Sequence, residues 1–170
     1  MKEIPLKGLR GVGKFLIIDD DDFEYLTENF SWHIDEDGYA KAWVRKHKKA
    51  LYPSTSIFAH RVIMGNPEGK EIDHKNGIKL DCRKDNLRIA TTQENKMNRT
   101  KTIGISKYKG VSPFSKIKPG KKRFRAQIRY NRDLIYLGCF YTEEEAAKVY
   151  DKKAKELFGE FAKLNFPEAA

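Results

Sequence analysis

The stretch Ile72-Asp73-His74-Lys75-Asn76-Gly77, followed by Lys84-Asp85-Asn86-Leu87-Arg88-Ile89-Ala90-Thr91-Thr92-Gln93-Glu94-Asn95, sets Asp73, His74, Asn86 and Asn95 at the ends of short predicted elements. These side chains suit hydrolysis of a phosphodiester with one hard metal ion. A water has to be deprotonated near neutral pH, and histidine is matched to that task. A divalent ion has to neutralise charge developing on the leaving oxygen. Magnesium prefers oxygen ligands and keeps several waters, so two protein oxygens suffice. If Asp73 ends a strand, its side chain and that of His74 diverge, one toward a metal and one toward water. Asn95 can offer its amide oxygen from the first turn of a helix. Asn86, entering the second strand, can brace the intervening loop through backbone hydrogen bonds.

Several elements have to position this group. Residues 71–73 and 87–90 read as two strands around a polar loop. Thr91-Thr92-Gln93-Glu94 is a capping-box pattern that predicts a helix running to about Arg99. Upstream, residues 59–65 predict a short helix ended by Gly65-Asn66-Pro67. Residues 13–18 predict a strand, and the acidic run at 19–22 predicts a helix start near Asp22, with aspartate as cap. Aromatic-rich segments 30–34 and 39–44 flank a turn ending in Gly38, a hairpin pattern. A polar turn at 46–49 and a strand over 51–58 complete a small antiparallel sheet.

The span from His60 to Arg99 resembles the HNH nucleases, whose ββα-metal core uses a His, a middle Asn and a third His or Asn. The matching pieces are His60-Arg61-Val62-Ile63-Met64-Gly65, Ile72-Asp73-His74, Asp85-Asn86-Leu87-Arg88-Ile89-Ala90-Thr91 and Glu94-Asn95. The resemblance implies His74 as general base, Asn86 as loop-bracing residue, and Asp73 and Asn95 as ligands of one divalent ion. His60 is given a supporting place. Asn95 at the third position resembles the homing and phage branch and favours Mg2+ or Mn2+ over zinc.

Downstream the composition changes. The chain has 170 residues, with 34 Lys+Arg against 24 Asp+Glu and a net charge of +10. Residues 1–100 carry 18 basic and 16 acidic side chains, and residues 101–170 carry 16 and 8. A basic surplus of this kind attracts polyanions. Residues 100–106 read as a linker. After it come strands at 110–112, 123–130 and 134–140, and a helix from Thr142 with Glu143-Glu144-Glu145 in its first turn. Ala146, Ala147, Val149, Tyr150, Ala154 and Leu157 recur at helical spacing.

Residues 107–167 resemble the AP2 domain. The resemblance rests on Tyr108-Lys109-Gly110-Val111, Phe124-Arg125-Ala126-Gln127-Ile128-Arg129, Tyr136-Leu137-Gly138-Cys139-Phe140, Tyr150-Asp151 and Ala162-Lys163-Leu164-Asn165-Phe166-Pro167. It implies a three-stranded antiparallel sheet backed by one helix, with the sheet entering the DNA major groove. Arg123, Arg125 and Arg129 alternate along one strand and so share a face. Arginine reads guanine bidentately, while lysine mainly positions phosphates. Lys109 and Lys122 join the arginines as DNA-binding candidates. Ser112, Phe124 and Tyr136 depart from the usual plant pattern, so base preference does not carry over.

The expectation is therefore an α+β chain. Residues 1–100 hold the N-terminal strands and a nuclease core at about 59–99. Residues 101–106 link them to an AP2-like domain at 107–167. The chain is expected to be a phage or homing-type DNA endonuclease, monomeric, acting on double-stranded DNA. The alternative is a sequence-specific DNA-binding regulator with an inactive nuclease core. A third class, RNA binding, has only charge and aromatics in its favour.

Cys82 and Cys139 are the two cysteines, and no Cys-x-x-Cys pair occurs, which argues against a structural zinc site of the usual spacing. With no apolar signal core and no membrane-length run, the chain is expected to be intracellular, in the cytoplasm or nucleoid of an infected host, and not secreted.

Overall fold

The computed structural model describes residues 1–44, 52, 54–98, 105–113 and 123–167. The predicted turn at 46–49, most of the predicted linker and Lys122 lie outside the described residues. The chain divides into two compact units, Met1–Asn95 and Lys96–Ala170. Both mix helix with small antiparallel sheets, an α+β architecture.

In the first unit, β1 (Lys2–Pro5) pairs antiparallel with β2 (Phe15–Ile18). Helix α1 (Phe23–Asn29) follows, then β3 (His33–Ile34), β4 (Ala40–Trp43) and β5 (Ser56–Phe58), an antiparallel sheet in the order β3-β4-β5. Helix α2 (Ala59–Ile63) leads to β6 (Glu71–His74), which pairs antiparallel with β7 (Leu87–Ala90). Helix α3 (Thr92–Met97) starts beside the capping box: Thr91 N donates to Glu94 Oε2 at 2.7 Å, and Glu94 N to Thr91 Oγ1 at 3.2 Å. It ends before the expected Arg99, which lies outside the described residues.

One core joins these pieces. Leu16, Ile18, Leu26, Trp32, Ile57 and Ala59 are buried with Ile72, Cys82 and Leu87. Burying a Leu or Ile side chain contributes about 1.5–3 kcal/mol. The strands that carry Asp73 and His74 are thereby fixed to the rest of the unit.

The acidic run departs from expectation in its cap alone. Asp22 makes no side-chain cap on α1. Instead Asp22 pairs with Lys84 Nζ at 3.0 Å, and Asp19 Oδ2 accepts from the Lys84 backbone at 2.8 Å. The carboxylates gain more from a cation and a backbone donor at the β6–β7 loop than from the end of a two-turn helix. Helix α1 still starts directly after Asp22, as expected, and the carboxylates of the run also anchor the candidate loop.

In the second unit, β8 (Val111–Pro113), β9 (Phe124–Tyr130) and β10 (Asp133–Phe140) form an antiparallel sheet in the order β10-β9-β8. The β9–β10 turn has Asn131 at φ 48° and Arg132 at φ 75°, the backbone that two-residue hairpins favour. Helix α4 (Glu143–Phe158) is closed by a capping box between Thr142 and Glu145. Its Ala146, Ala147, Tyr150 and Ala154 pack in clusters with Val111, Ala126 and Ile128. Small residues on the seam let helix and sheet approach closely. Gly110 shows how closely: at φ 75°, a Cβ there would run into the Tyr150 ring and lie 2.8 Å from the Gln127 carbonyl. No helix among the described residues is long and apolar enough to cross a membrane.

Candidate active site

Strand β6 alternates its side chains between two faces. Ile72 and His74 take one, and Ile72 belongs to the core. Glu71 and Asp73 take the other. The β6–β7 register sets Asp73 opposite Arg88. Asp73 Oδ2 accepts from Arg88 Nε at 2.8 Å and from Nη2 at 2.7 Å, with both side chains almost wholly enclosed. Asn95, presented by α3, donates through Nδ2 to Glu71 Oε2. The amide oxygen is then the ligand-capable atom of Asn95.

The loop over residues 75–86 is held by Asn86. Its Oδ1 accepts from Asn76 N at 3.0 Å, and its Nδ2 donates to Asp81 O at 2.7 Å. Lys75 N donates to Asn86 O at 2.8 Å. Asp81 is clamped by Arg83 Nε and Nη2 at 2.8 and 2.7 Å, and this guanidinium lowers the carboxyl's pKa.

His74 is 5% exposed and faces His60 and Cys82. Its Nε2 lies 3.7 Å from Cys82 Sγ. The His60 and His74 rings meet edge-on at 5.2 Å, and His60 stacks on Phe58 at 5.5 Å. Burial lowers the His74 pKa to about 4, against the opposing pull of the Asp73 and Asp81 charges. Burial, reinforced by the neighbouring His74 and Arg61, takes His60 to about 3. The Cys82 thiol is pushed up to about 12, mainly by burial. At neutral pH both imidazoles are unprotonated, the state in which a ring nitrogen accepts a proton or binds a metal.

The strand pair thus separates two donor sets. On one side stand the oxygens of Asp73, paired with Arg88, and of Glu71 and Asn95, paired with each other, donors of the type a hard divalent ion prefers. On the other stand His60, His74 and Cys82, whose ligand atoms all lie within 4.8 Å of one another. The sequence had singled out neither Glu71 nor Arg88, although alternation from Asp73 points to the first and strand register to the second. Cys82 carried no signal, because its place beside His74 depends on how the loop folds. Arg61 was also missed. Its guanidinium donates to Asn66 Oδ1, Pro67 O and Lys70 O, bracing the connection into β6.

In the second unit Arg123, Arg125 and Arg129 are exposed, while Ala126 and Ile128 are buried. Arg125 Nε donates to Ser112 Oγ at 2.8 Å across the β8–β9 pair. Leu134 and Tyr136 sit opposite Arg129 and Gln127 and are largely exposed, which adds apolar surface to the basic face. Lys109 is placed differently. Its ammonium donates to Met97 O at 2.6 Å, and burial brings its pKa down to about 8.

Residues 58–97 match the HNH endonuclease family. An uncharacterised HNH endonuclease of Acanthamoeba polyphaga mimivirus is 29% identical over 157 residues, spanning 92% of this chain and 77% of that protein. An AP2/ERF and B3 domain-containing transcription repressor of Arabidopsis thaliana is 32% identical over 114 residues, 67% of this chain. Dehydration-responsive element-binding protein 2A of the same plant is 49% identical over 35 residues, 21% of this chain. The chain spans only 25% and 10% of those two plant proteins. The HNH match supports nuclease activity at family level, and the distant plant matches hint at DNA binding. HNH nucleases are in general metal-dependent.

Proposed function

We propose that this chain is a metal-dependent DNA endonuclease of the homing or phage HNH type, in which the first unit cuts and the basic sheet of the second reads the major groove of double-stranded DNA. The observation that carries the reading is the pairing of Asp73 with His74 at the end of β6, inside the segment that matches the HNH family. The metal is Mg2+ or Mn2+, held by Asp73 and Asn95, and the working form is a monomer inside the cell. A bound divalent ion supplies charge neutralisation at the leaving 3′-oxygen.

The protein's own groups do the rest. His74, neutral at pH 7, takes a proton from water at a ring nitrogen. Asn86 holds the loop whose two ends flank that histidine. Arg88 keeps the Asp73 carboxylate oriented and shares it with the incoming cation. The arginines of β9 hold the duplex through phosphates and base edges.

Nicking of supercoiled plasmid in Mg2+ is the test. The full chain is expected to nick, and His74→Ala to lose about 10²–10⁴ of that rate while binding duplex DNA as before. Triple replacement of Arg123, Arg125 and Arg129 by Ala is expected to weaken duplex binding and to reduce the log–log salt slope by up to about 2.7. A parent chain that binds DNA but never nicks would make it a regulator instead. A His74→Ala variant cutting at more than about a tenth of the parent rate would remove His74 as the base.

A further inference from the structure

Beside the oxygen face of β6, the same strand presents a set of ligands suited to a different class of metal. His60 comes from the first turn of α2, His74 from the end of β6 and Cys82 from the loop that follows. All are buried and their ligand atoms converge within 4.8 Å. Zn–S and Zn–N bonds of about 2.3 and 2.0 Å at a tetrahedral angle place sulfur and nitrogen about 3.5 Å apart. The separation of Cys82 Sγ and His74 Nε2 is 3.7 Å. The spacing of these two atoms is thus already within about 0.2 Å of what one shared ion requires.

The surroundings fit as well. Tyr39 packs against both imidazoles, with centroids at 5.3 Å from His60 and 5.9 Å from His74, and Phe58 stacks on His60. These rings limit the rotation of the ligands. The Asp81 carboxylate lies close enough to act electrostatically on both His74 and Cys82, which favours a cation. Thiolate and imidazole together select zinc-class ions over magnesium.

We propose that His60, His74 and Cys82 form a site for a thiophilic divalent ion, zinc or cadmium, and that filling it switches cleavage off by occupying the nitrogen lone pair of His74. The thiol proton of Cys82 leaves to solvent as the Cys82 sulfur binds, so each ion taken up releases a proton. Inhibition rests on the nuclease reading above; metal binding does not. A mixed environment of Mg2+ and Zn2+ would then be read by two neighbouring donor sets with opposite consequences.

Cadmium titration of the full chain carrying Cys139→Ser, which leaves Cys82 as the sole thiol, decides the binding half. An ultraviolet cadmium–thiolate charge-transfer band is expected to saturate near about one equivalent and to persist in excess Mg2+. The band is expected to vanish in a further Cys82→Ala variant and to need at least about tenfold more cadmium in His60→Phe, which keeps the aromatic stack. Absence of the band from the parent protein overturns the site, whatever the variants do.

Nicking in saturating Mg2+ decides the other half. Zinc is expected to suppress the parent chain at concentrations at least about tenfold below those needed for Cys82→Ala. Equal zinc sensitivity of the two proteins, or a saturated cadmium band with undiminished nicking, overturns the inhibitory role. If the parent never nicks, the nuclease reading fails alone, and the band still decides the metal site.

Discussion

The two units handle charge in opposite ways. The first buries polar chemistry: His60, Asp73, His74, Asp81 and Asn86 are all enclosed, each among named partners. The second keeps Arg123, Arg125 and Arg129 in solvent on a sheet whose other side is sealed to α4 by small residues. The difference is the one that the proposed division of labour calls for. A proton-transfer group has to be preorganised and desolvated, whereas groove recognition needs exposed cations on a stiff platform. It also separates the vulnerabilities. The first unit depends on charge balance, and the second on close packing.

The largest effect expected is on packing. Gly110→Ala adds a methyl that meets the Tyr150 ring and the Gln127 carbonyl, at a backbone φ of 75° that disfavours any side chain. Tyr150 is buried and has no room to retreat. The loss should exceed about 4 kcal/mol and unfold the second unit. Both tryptophans, Trp32 and Trp43, lie in the first unit, so their fluorescence follows that unit alone. About half of the far-ultraviolet helical signal of the described residues should disappear with the 16-residue α4, while the tryptophan unfolding curve stays in place. A native-like helical signal would show that the α4 seam has slack.

Next in size is a charge left without its partner. Arg88→Ala takes the guanidinium away from the buried Asp73 carboxylate, and breaking a buried pair in this way typically costs about 3–5 kcal/mol. Denaturation followed by tryptophan fluorescence should register this in the first unit, with the α4 signal unmoved. Millimolar Mg2+ or Mn2+ should restore part of the loss in the variant, by supplying another cation to Asp73. A loss below about 1 kcal/mol would mean that Asp73 does not depend on Arg88.

Much of this division was visible in the chain. Alternation in Phe124-Arg125-Ala126-Gln127-Ile128-Arg129 separates apolar from basic faces in the sequence itself, because strand parity is a local rule. Thr91 with Glu94, and Thr142 with Glu145, announced helix starts for the same reason. The β1 strand was not anticipated, since Lys2–Pro5 is too short and mixed to show a period. The acidic run marked the helix start near Asp22, but its capping role failed, because the partner of Asp19 and Asp22 is Lys84, far along the chain. The Cys82 contact with His74 was hidden likewise. Local pattern announces elements, but which side chains meet across a loop is a property of the folded core.

The smallest effect expected is the most selective, and it comes from pH. His60 and His74 have folded pKa values of about 3 and 4, against 6.5 when exposed. Between those values the unfolded chain binds more protons than the folded one, so stability of the first unit falls as pH falls through that window. The contribution is fully present above about pH 6.5 and should decline by about 2–3 kcal/mol between pH 7 and 5.5. Residues 96–170 contain no histidine. In the second unit Glu144, held low by hydrogen bonds, responds only as pH falls through the carboxylate range, and the other shifted groups act on the alkaline side. Lys109, brought down to about 8, weakens that unit at neutral pH and ceases to do so as pH rises toward 10.5. Tyr150, pushed up to about 12, favours folding until pH passes 10. Denaturant midpoints in chelator-containing buffer should therefore drop with acid by tryptophan fluorescence and stay level by the α4 helical signal. Parallel acid sensitivity of the two signals would show that the units unfold as one, and would remove the buried histidines as the cause.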